Sequence, residues 1–304
     1  MGFNCSNLAQ GHLIESTQNQ FYIFIQEMYS NKTIINFCPT GMVPTKSETP
    51  HVPISPAEII EQTHEAYEIG ITIAHLHARE ADGFPTYRKS VYQQIFEGVR
   101  KHCPDLIICG SSSGRNFPEL EKRSEVIELQ PDMCSLTLSS LNFQYQASIN
   151  SPDTILGLAN KMKEYGVVPE LECFGLGMIN YGSYLIKKKL IEGPFYWNLL
   201  FGNIAGMQAN FSQIGTAIRE IPEDHFISLA GLGSNQLTIN GASIAMGYGV
   251  RVGLEDNIWL DHKGGKLATN KDLVLRVHQL MSIHSRELFS SKELGDLGFY
   301  NRKK

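Results

Sequence analysis

The chain has 304 residues, 42% of them hydrophobic and 19% charged, with a formal net charge of −5 and a pI near 6.1. That length holds one large core or two ordinary domains. The mildly acidic balance leaves no electrostatic footprint for nucleic acid or an anionic membrane surface, so small molecules are the expected partners. No apolar run reaches the roughly 18 residues that a membrane span needs, and no basic segment followed by an apolar stretch opens the chain, which points to a soluble protein; the scattered cysteines fit a reducing, cytoplasmic setting.

Residues 1–30 read as an N-terminal extension before the first clear strand, with the aromatic run Phe21-Tyr22-Ile23-Phe24-Ile25 near its end. Met1-Gly2-Phe3-Asn4-Cys5-Ser6 fits the loose N-myristoylation pattern, though a polar lead-in is the plainer reading of so short a match. From Thr33 onward, β-prone apolar runs at 33–38, 72–77, 106–110, 133–137, 167–174, 195–201, 225–229 and 250–253 alternate with helical patterns at 55–68, 89–101, 118–129, 153–165, 178–189, 207–220, 234–246 and 271–288. Ser55-Pro56 has the form of an N-cap followed by proline at the first helical position. Strands apolar on both faces and separated by helices imply a parallel sheet covered by helices. Eight units of about 30 residues favour a single α/β domain over residues 31–304, a closed (β/α)8 TIM barrel. An open doubly wound sheet is the alternative, but no GxGxxG turn follows the first strand. The six cysteines, Cys5, Cys38, Cys103, Cys109, Cys134 and Cys173, form no CxxC pair, and several lie in apolar runs where free cysteine acts as a small hydrophobe.

In such a barrel the chemistry sits at the carboxyl ends of the strands, and reactive residues gather there. The second strand ends in His75-Leu76-His77, whose imidazoles point to one face at i and i+2 and can aim at one metal ion. The third runs into Ser111-Ser112-Ser113-Gly114-Arg115; the fourth carries Ser135 and Thr137; the fifth carries Glu170 and Glu172. The eighth leads into Arg251-Val252-Gly253-Leu254-Glu255-Asp256-Asn257, and because strands eight and two both flank strand one, Glu255 can reach an ion held by the histidines. Two histidines and a carboxylate leave positions open for substrate, as in a catalytic zinc site. Each piece also has a plain reading: satisfied histidines, a solvated or helix-capping Glu255-Asp256-Asn257, a flexible serine turn. At a strand-to-helix junction the serine loop could bind a carboxylate through its N–H groups. Glu172 needs a cation to avoid being an unpaired buried charge, and Arg251 is the candidate. The remaining histidines show no comparable spacing and read as structural or surface residues.

These residues carry a resemblance. Thr40-Gly41, Pro53-Ile54-Ser55-Pro56, His75-Leu76-His77, the Ser111 to Gly114 loop, Leu141-Asn142-Phe143, Val168-Pro169-Glu170 and the Arg251 to Asn257 run follow the order and spacing of the β-keto acid cleavage enzymes, whose characterised member is the 3-keto-5-aminohexanoate cleavage enzyme. The resemblance implies a zinc-bearing barrel, a homotetramer or at least a homo-oligomer, that condenses a β-keto acid with acetyl-CoA to give acetoacetate and a new acyl-CoA. Position by position it makes His75, His77 and Glu255 the zinc ligands, Ser111, Gly114 and Ser135 the keto-acid contacts, and Asp256 the general base supported by Arg251 and Glu172. In that scheme zinc stabilises charge on the ketone oxygen, and Asp256 makes the acetyl-CoA methyl carbon nucleophilic. Two departures stand out. Where the amino-substrate enzyme has a glutamate for the amine, this chain has Val43, so the expected substrate is an uncharged or apolar, short aliphatic keto acid; and the family's Gly-Val-Pro-Gly-Gly-like turn reads Gly202-Asn203-Ile204-Ala205-Gly206. Other readings of the same residues are a metal-dependent aldolase, lyase or hydrolase on the same barrel, an iron oxygenase with a facial triad, or a catalytically inactive metal-binding protein.

Overall fold

The computed structural model describes residues 29–261 and 263–303. Eight parallel strands close a barrel: β1 Ile35–Phe37, β2 Ile73–Leu76, β3 Ile107–Gly110, β4 Met133–Thr137, β5 Val168–Cys173, β6 Tyr196–Phe201, β7 Phe226–Gly231 and β8 Gly249–Val252. Each strand pairs with its neighbours in chain order, and β8 returns to β1 with Arg251 opposite Asn36. The expected (β/α)8 barrel is therefore the fold, and the predicted strands differ from the observed ones only at their ends. The possible myristoylation site, and nearly all of the proposed extension, lie outside the described residues.

The two-residue period of a strand sorts the side chains. One parity, including Ile35, Phe37, Ala74, Leu76, Ile108, Leu171, Trp197, Leu199, Val250 and Val252, packs outward into the large core under the helices. The other parity fills the lumen in layers. Ile34, Ile73, Ile107, Met133, Val168 and Tyr196 form an apolar floor at the amino ends of the strands, which Phe289, Leu294 and Phe299 from the C-terminal segment close from below. Above it lies a fully buried polar layer that includes Asn36, His75, Ser135, Glu170, Asn198, Ser228 and Arg251. Buried polar groups persist only when hydrogen-bonded or paired, so this layer marks where the barrel gives up packing for chemistry.

The helices covering the barrel are α1 Pro56–Ile69, α2 Lys89–His102, α3 Leu120–Arg123, α4 Pro152–Tyr165, α5 Leu176–Lys187, α6 Phe211–Arg219, α7 Gln236–Met246 and α8 Asn270–Ile283. Ser55 caps α1 as expected, in a capping box with Glu58 and with Pro56 at the first turn. Three predicted helices were too long. The 118–129 segment breaks into α3 and a 3-10 turn, Glu125–Leu129. The 207–220 segment begins only at Phe211, because Met207 N–H donates to the Phe174 carbonyl (2.7 Å) and Asn210 caps the helix instead. The 271–288 segment stops at Ile283, and Glu287–Leu288 becomes a strand beside Lys32–Thr33. In the last two cases a tertiary hydrogen bond or strand pairing overrides helical periodicity. Among the described residues no helix is long and apolar enough to cross a membrane, and Cys38, Cys103, Cys109, Cys134 and Cys173 are free and buried.

Candidate active site

The carboxyl ends of the strands open into a cavity of about 1300 Å³. His75 is the third residue of β2, and His77 follows the strand's last residue, so alternation brings both rings to the same face, with Nε2 atoms 3.2 Å apart. Glu255 reaches them from the turn after β8: its Oε1 is 3.2 Å from His77 Nε2. One donor atom from each of His75, His77 and Glu255 lies within 4.8 Å of the others, a group able to hold one metal ion.

That turn is fixed from several sides. Glu255 N–H donates to the Cys38 carbonyl (3.2 Å), Leu254 N–H to Asn270 Oδ1 (2.9 Å), and Gly233 N–H to the Asp256 carbonyl (2.7 Å). Close approach at two glycines permits it. A Cβ on Gly253, which has φ +155°, would stand 2.0 Å from the Cys38 carbonyl oxygen, and one on Gly41 would stand 2.2 Å from Glu255 Cγ.

The donor set fits a metal on its own chemistry. His75 Nδ1 lies 2.7 Å from Glu170 Oε2, and a carboxylate held by donors can only accept, so the ring proton sits on Nδ1 and the Nε2 lone pair is left to face His77 and Glu255. Glu170 is itself saturated by Asn36 Nδ2 (2.6 Å), Asn198 Nδ2 (3.1 Å) and Cys109 Sγ (3.3 Å). Burial raises its pKa, but His75 beside it prevails and holds it at about 2. Glu255 Oε2 is buried with no hydrogen-bond partner, an acceptor left for a cation. A second cluster, His75, Cys109 and Glu170, is also compact. It lies wholly buried, its carboxylate is already satisfied, and burial pushes the Cys109 thiol well up, away from the thiolate that binds metals.

Arg251 organises the acids around this group. Its Nη2 lies 2.8 Å from Glu255 Oε1, Nε donates to Asp256 Oδ2 at 2.9 Å, and Nη1 lies 3.6 Å from Glu172 Oε1. Glu172 also accepts from Thr137 Oγ1 at 2.8 Å. Burial raises the Asp256 pKa; Arg251 opposes it and Glu255 reinforces it, for a net upward shift that makes the carboxylate a stronger base.

The remaining candidates are not equivalent. Ser111 lines the cavity, as does Val43, which is 55% exposed. Ser135 is buried beside the serine loop, where its Oγ accepts from Ser112 N–H at 3.0 Å and holds the loop. Gly114 packs against Arg123, which donates to the Ser112 carbonyl (2.8 Å) and to Asn150 Oδ1 (2.8 Å). Glu170 and Thr137 have no role that spacing alone assigns, yet they share the lumen parity of Glu172 and Ser135 respectively. Arg115, in sequence only the end of the serine turn, also lines the cavity.

The structure is a (β/α)8 barrel with a metal-competent His75-His77-Glu255 group, and with Asp256 beside it, at the carboxyl ends of its strands. Residues 32–297 match the beta-keto acid cleavage enzyme family. The 3-keto-5-aminohexanoate cleavage enzyme of Fusobacterium nucleatum is 35% identical over 264 residues, 86% of this chain and 96% of that protein. The 3-oxoadipate:acetyl-CoA acetyltransferase of Cupriavidus necator is 34% identical over 83% of this chain and 89% of that protein. The apo structure of ObcA superposes with a TM-score of 0.71 at 18% identity, covering 83% of this chain and 66% of that one, a likeness of fold. The chain belongs to the β-keto acid cleavage enzyme family, and it is an enzyme of the acyltransferase class.

Proposed function

We propose that this enzyme is zinc-dependent and converts a β-keto acid and acetyl-CoA into acetoacetate and a new acyl-CoA, and that the keto acid carries an uncharged or apolar substituent. The observation that carries this reading is the single guanidinium of Arg251, which contacts Glu255 of the metal-competent group, Asp256 beside it, and Glu172. A Lewis-acid position and a base are thereby held in one rigid frame. Zinc bound by His75, His77 and Glu255 supplies polarisation of the ketone oxygen.

Atom balance decides which carbon is activated. Acetoacetate made this way keeps the CH2-carboxylate unit of the keto acid, so the bond formed joins C2 of the keto acid to the acetyl carbonyl carbon, and the bond broken is C2–C3. Coenzyme A leaves the acetyl group and ends on the released acyl fragment. The proton taken by Asp256 therefore comes from C2 of the keto acid, which replaces the expectation that it comes from the acetyl-CoA methyl. Asp256 lines the cavity. Its Oδ2 is held by Arg251 Nε at 2.9 Å, while Oδ1 has only a long 3.4 Å contact to Nη2, leaving it the oxygen less engaged and better able to take a proton. Glu172, anchored by Thr137, keeps Arg251 from turning away. Ser111 and the loop that Ser135 and Gly114 shape form the wall for the keto acid, and Val43 offers no partner to an ammonium group.

Acetoacetate release with acetyl-CoA is the test. Turnover of 3-oxopentanoate or 3-oxohexanoate above that of 3-keto-5-aminohexanoate is expected; preference for the amine overturns the Val43 reading, and no turnover on any keto acid overturns the whole. Elemental analysis is expected to find zinc, and stoichiometric iron would reject it. Five buried free cysteines support a reducing, cytoplasmic setting, and exposed Ile204 and Phe211 support a homo-oligomer, dimer or tetramer.

A further inference from the structure

Among the described residues, each Arg or Lys lining the cavity has at least one partner for its side chain except Arg115, although Arg79 Nε and Arg251 Nη1 are also buried without a hydrogen bond. Arg251 is ringed by Glu255, Asp256 and Glu172. Arg79 donates to the carbonyls of Gly41 and Gly83, and Lys46 pairs with Glu58 at 2.7 Å. Arg115 makes no ion pair and no side-chain hydrogen bond among the described residues, and its Nε is buried without a partner.

The side chain is nevertheless held in place. Its guanidinium carbon lies 3.6 Å from the centroid of the Phe143 ring. Phe143 is in turn fixed by an edge-on contact with Phe174 (5.6 Å between centroids, 86° between planes) and by its N–H bond to the Gln146 carbonyl (2.9 Å) across the hairpin of Leu141–Asn142 and Ala147–Ser148. Stacking occupies the face of a guanidinium and leaves its N–H edges free, the arrangement that suits a carboxylate lying in the same plane. Arg115 follows the Ser111 to Gly114 loop, and it lies in the field of Glu255, Glu172 and Asp256. A cation offset only by the longer-range field of those acids, with no partner in contact, favours an anion at its free N–H edges. Val43 and Met42, from the loop after β1, also line the cavity and supply apolar surface.

We infer that Arg115 is a substrate-binding residue that pairs with the carboxylate of the keto acid, so that the acid end lies toward Arg115 and Phe143 and the substituent toward Met42 and Val43. The assignment rests on the keto-acid reading above and adds to it a direction for the substrate. It also names a residue that separates acids from their neutral counterparts, because a charge-assisted fork to a carboxylate has no equivalent with an ester.

Calorimetric binding to the metal-loaded full-length protein, without acetyl-CoA, tests this independently of turnover. The probes are 3-oxohexanoate, its methyl ester and coenzyme A; the proteins are the wild type, Arg115→Met and Arg115→Lys. The wild type is expected to bind the acid more tightly than the ester. Arg115→Met is expected to weaken the acid by about 10- to 100-fold, the usual worth of a hydrogen-bonded charge pair, with ester and coenzyme A changed less than about twofold and Arg115→Lys recovering part of the loss. Equal acid and ester affinity in the wild type, equal loss of both in Arg115→Met, or a loss confined to coenzyme A would each overturn the assignment. The last would give Arg115 to the cofactor's phosphates. Turnover of keto acids by the wild type with no charge preference in binding rejects the Arg115 role and leaves the proposed function standing, whereas charge-selective binding without turnover does the reverse.

Discussion

At the scale of residues, the site is a chain of dependence that runs inward from the cavity. His75 is oriented by Glu170, and Glu170 by Asn36, Asn198 and Cys109. Replacing Glu170 by Gln keeps the shape but offers His75 Nδ1 a neutral amide, so metal affinity is expected to fall by about 10- to 100-fold, read by competition with a chelator. Asp256→Asn is expected to leave metal content unchanged and lower kcat by about 100- to 10,000-fold, the range of a lost general base. Equal loss of metal and rate in that variant would instead make Asp256 a structural support. The two histidines and the acids after β8 were legible because their spacing and residue types are unusual. Glu170 was not legible as the orienting partner, since its position beside His75 comes from opposite walls of a closed barrel.

Among the elements, the turn after β8 and the loop after β1 explain a motif that residue chemistry alone left as a landmark. Thr40-Gly41 passes so close to Glu255 that a Cβ on Gly41 would overlap its Cγ. Gly41→Ala is therefore expected to displace Glu255, reducing bound metal and lowering kcat/KM by about 100-fold, as a shift near 1 Å can do. The thermal unfolding midpoint of the apo protein checks that the barrel itself survives. Unchanged metal affinity would show that Glu255 can yield without leaving the site. Element boundaries were read well where local chemistry decides them: the Ser55-Pro56 cap and its Glu58 box are local signals, and α1 starts there. They were misread at 207–220 and 271–288, where the deciding contacts come from distant segments, and at 118–129, where the chain leaves α3 at Ser124 and continues as a 3-10 turn.

The molecule as a whole separates stability from chemistry along the barrel axis. The apolar floor, sealed by Phe289, Leu294 and Phe299, lies at the opposite end from the cavity. Phe299 is fully buried there, so Phe299→Ala is expected to cost about 3–5 kcal/mol in denaturant unfolding, as large-to-small changes at aromatic core positions do. The KM for the keto acid should remain within about twofold, because the change is remote from the cavity and shares no partner with its residues. A parallel rise in KM would mean that the floor and the metal layer are mechanically coupled.

The sequence by itself determined the barrel and most of its reactive rim. Eight apolar runs at even spacing admit few other arrangements, and alternation along a strand already puts His75 with His77 and Glu170 with Glu172. Only the tertiary structure decided how those pairs are used. Closure of β8 onto β1 brings Arg251, Glu255 and Asp256 to the histidines, the pairing of β3 with β4 lets Ser135 brace the serine loop, and among the described residues Arg115 is left without a counter-ion. Spacing along a strand is a local property, whereas a charge partner is set by whatever the fold places across the lumen, and that distance exists only once the barrel has closed.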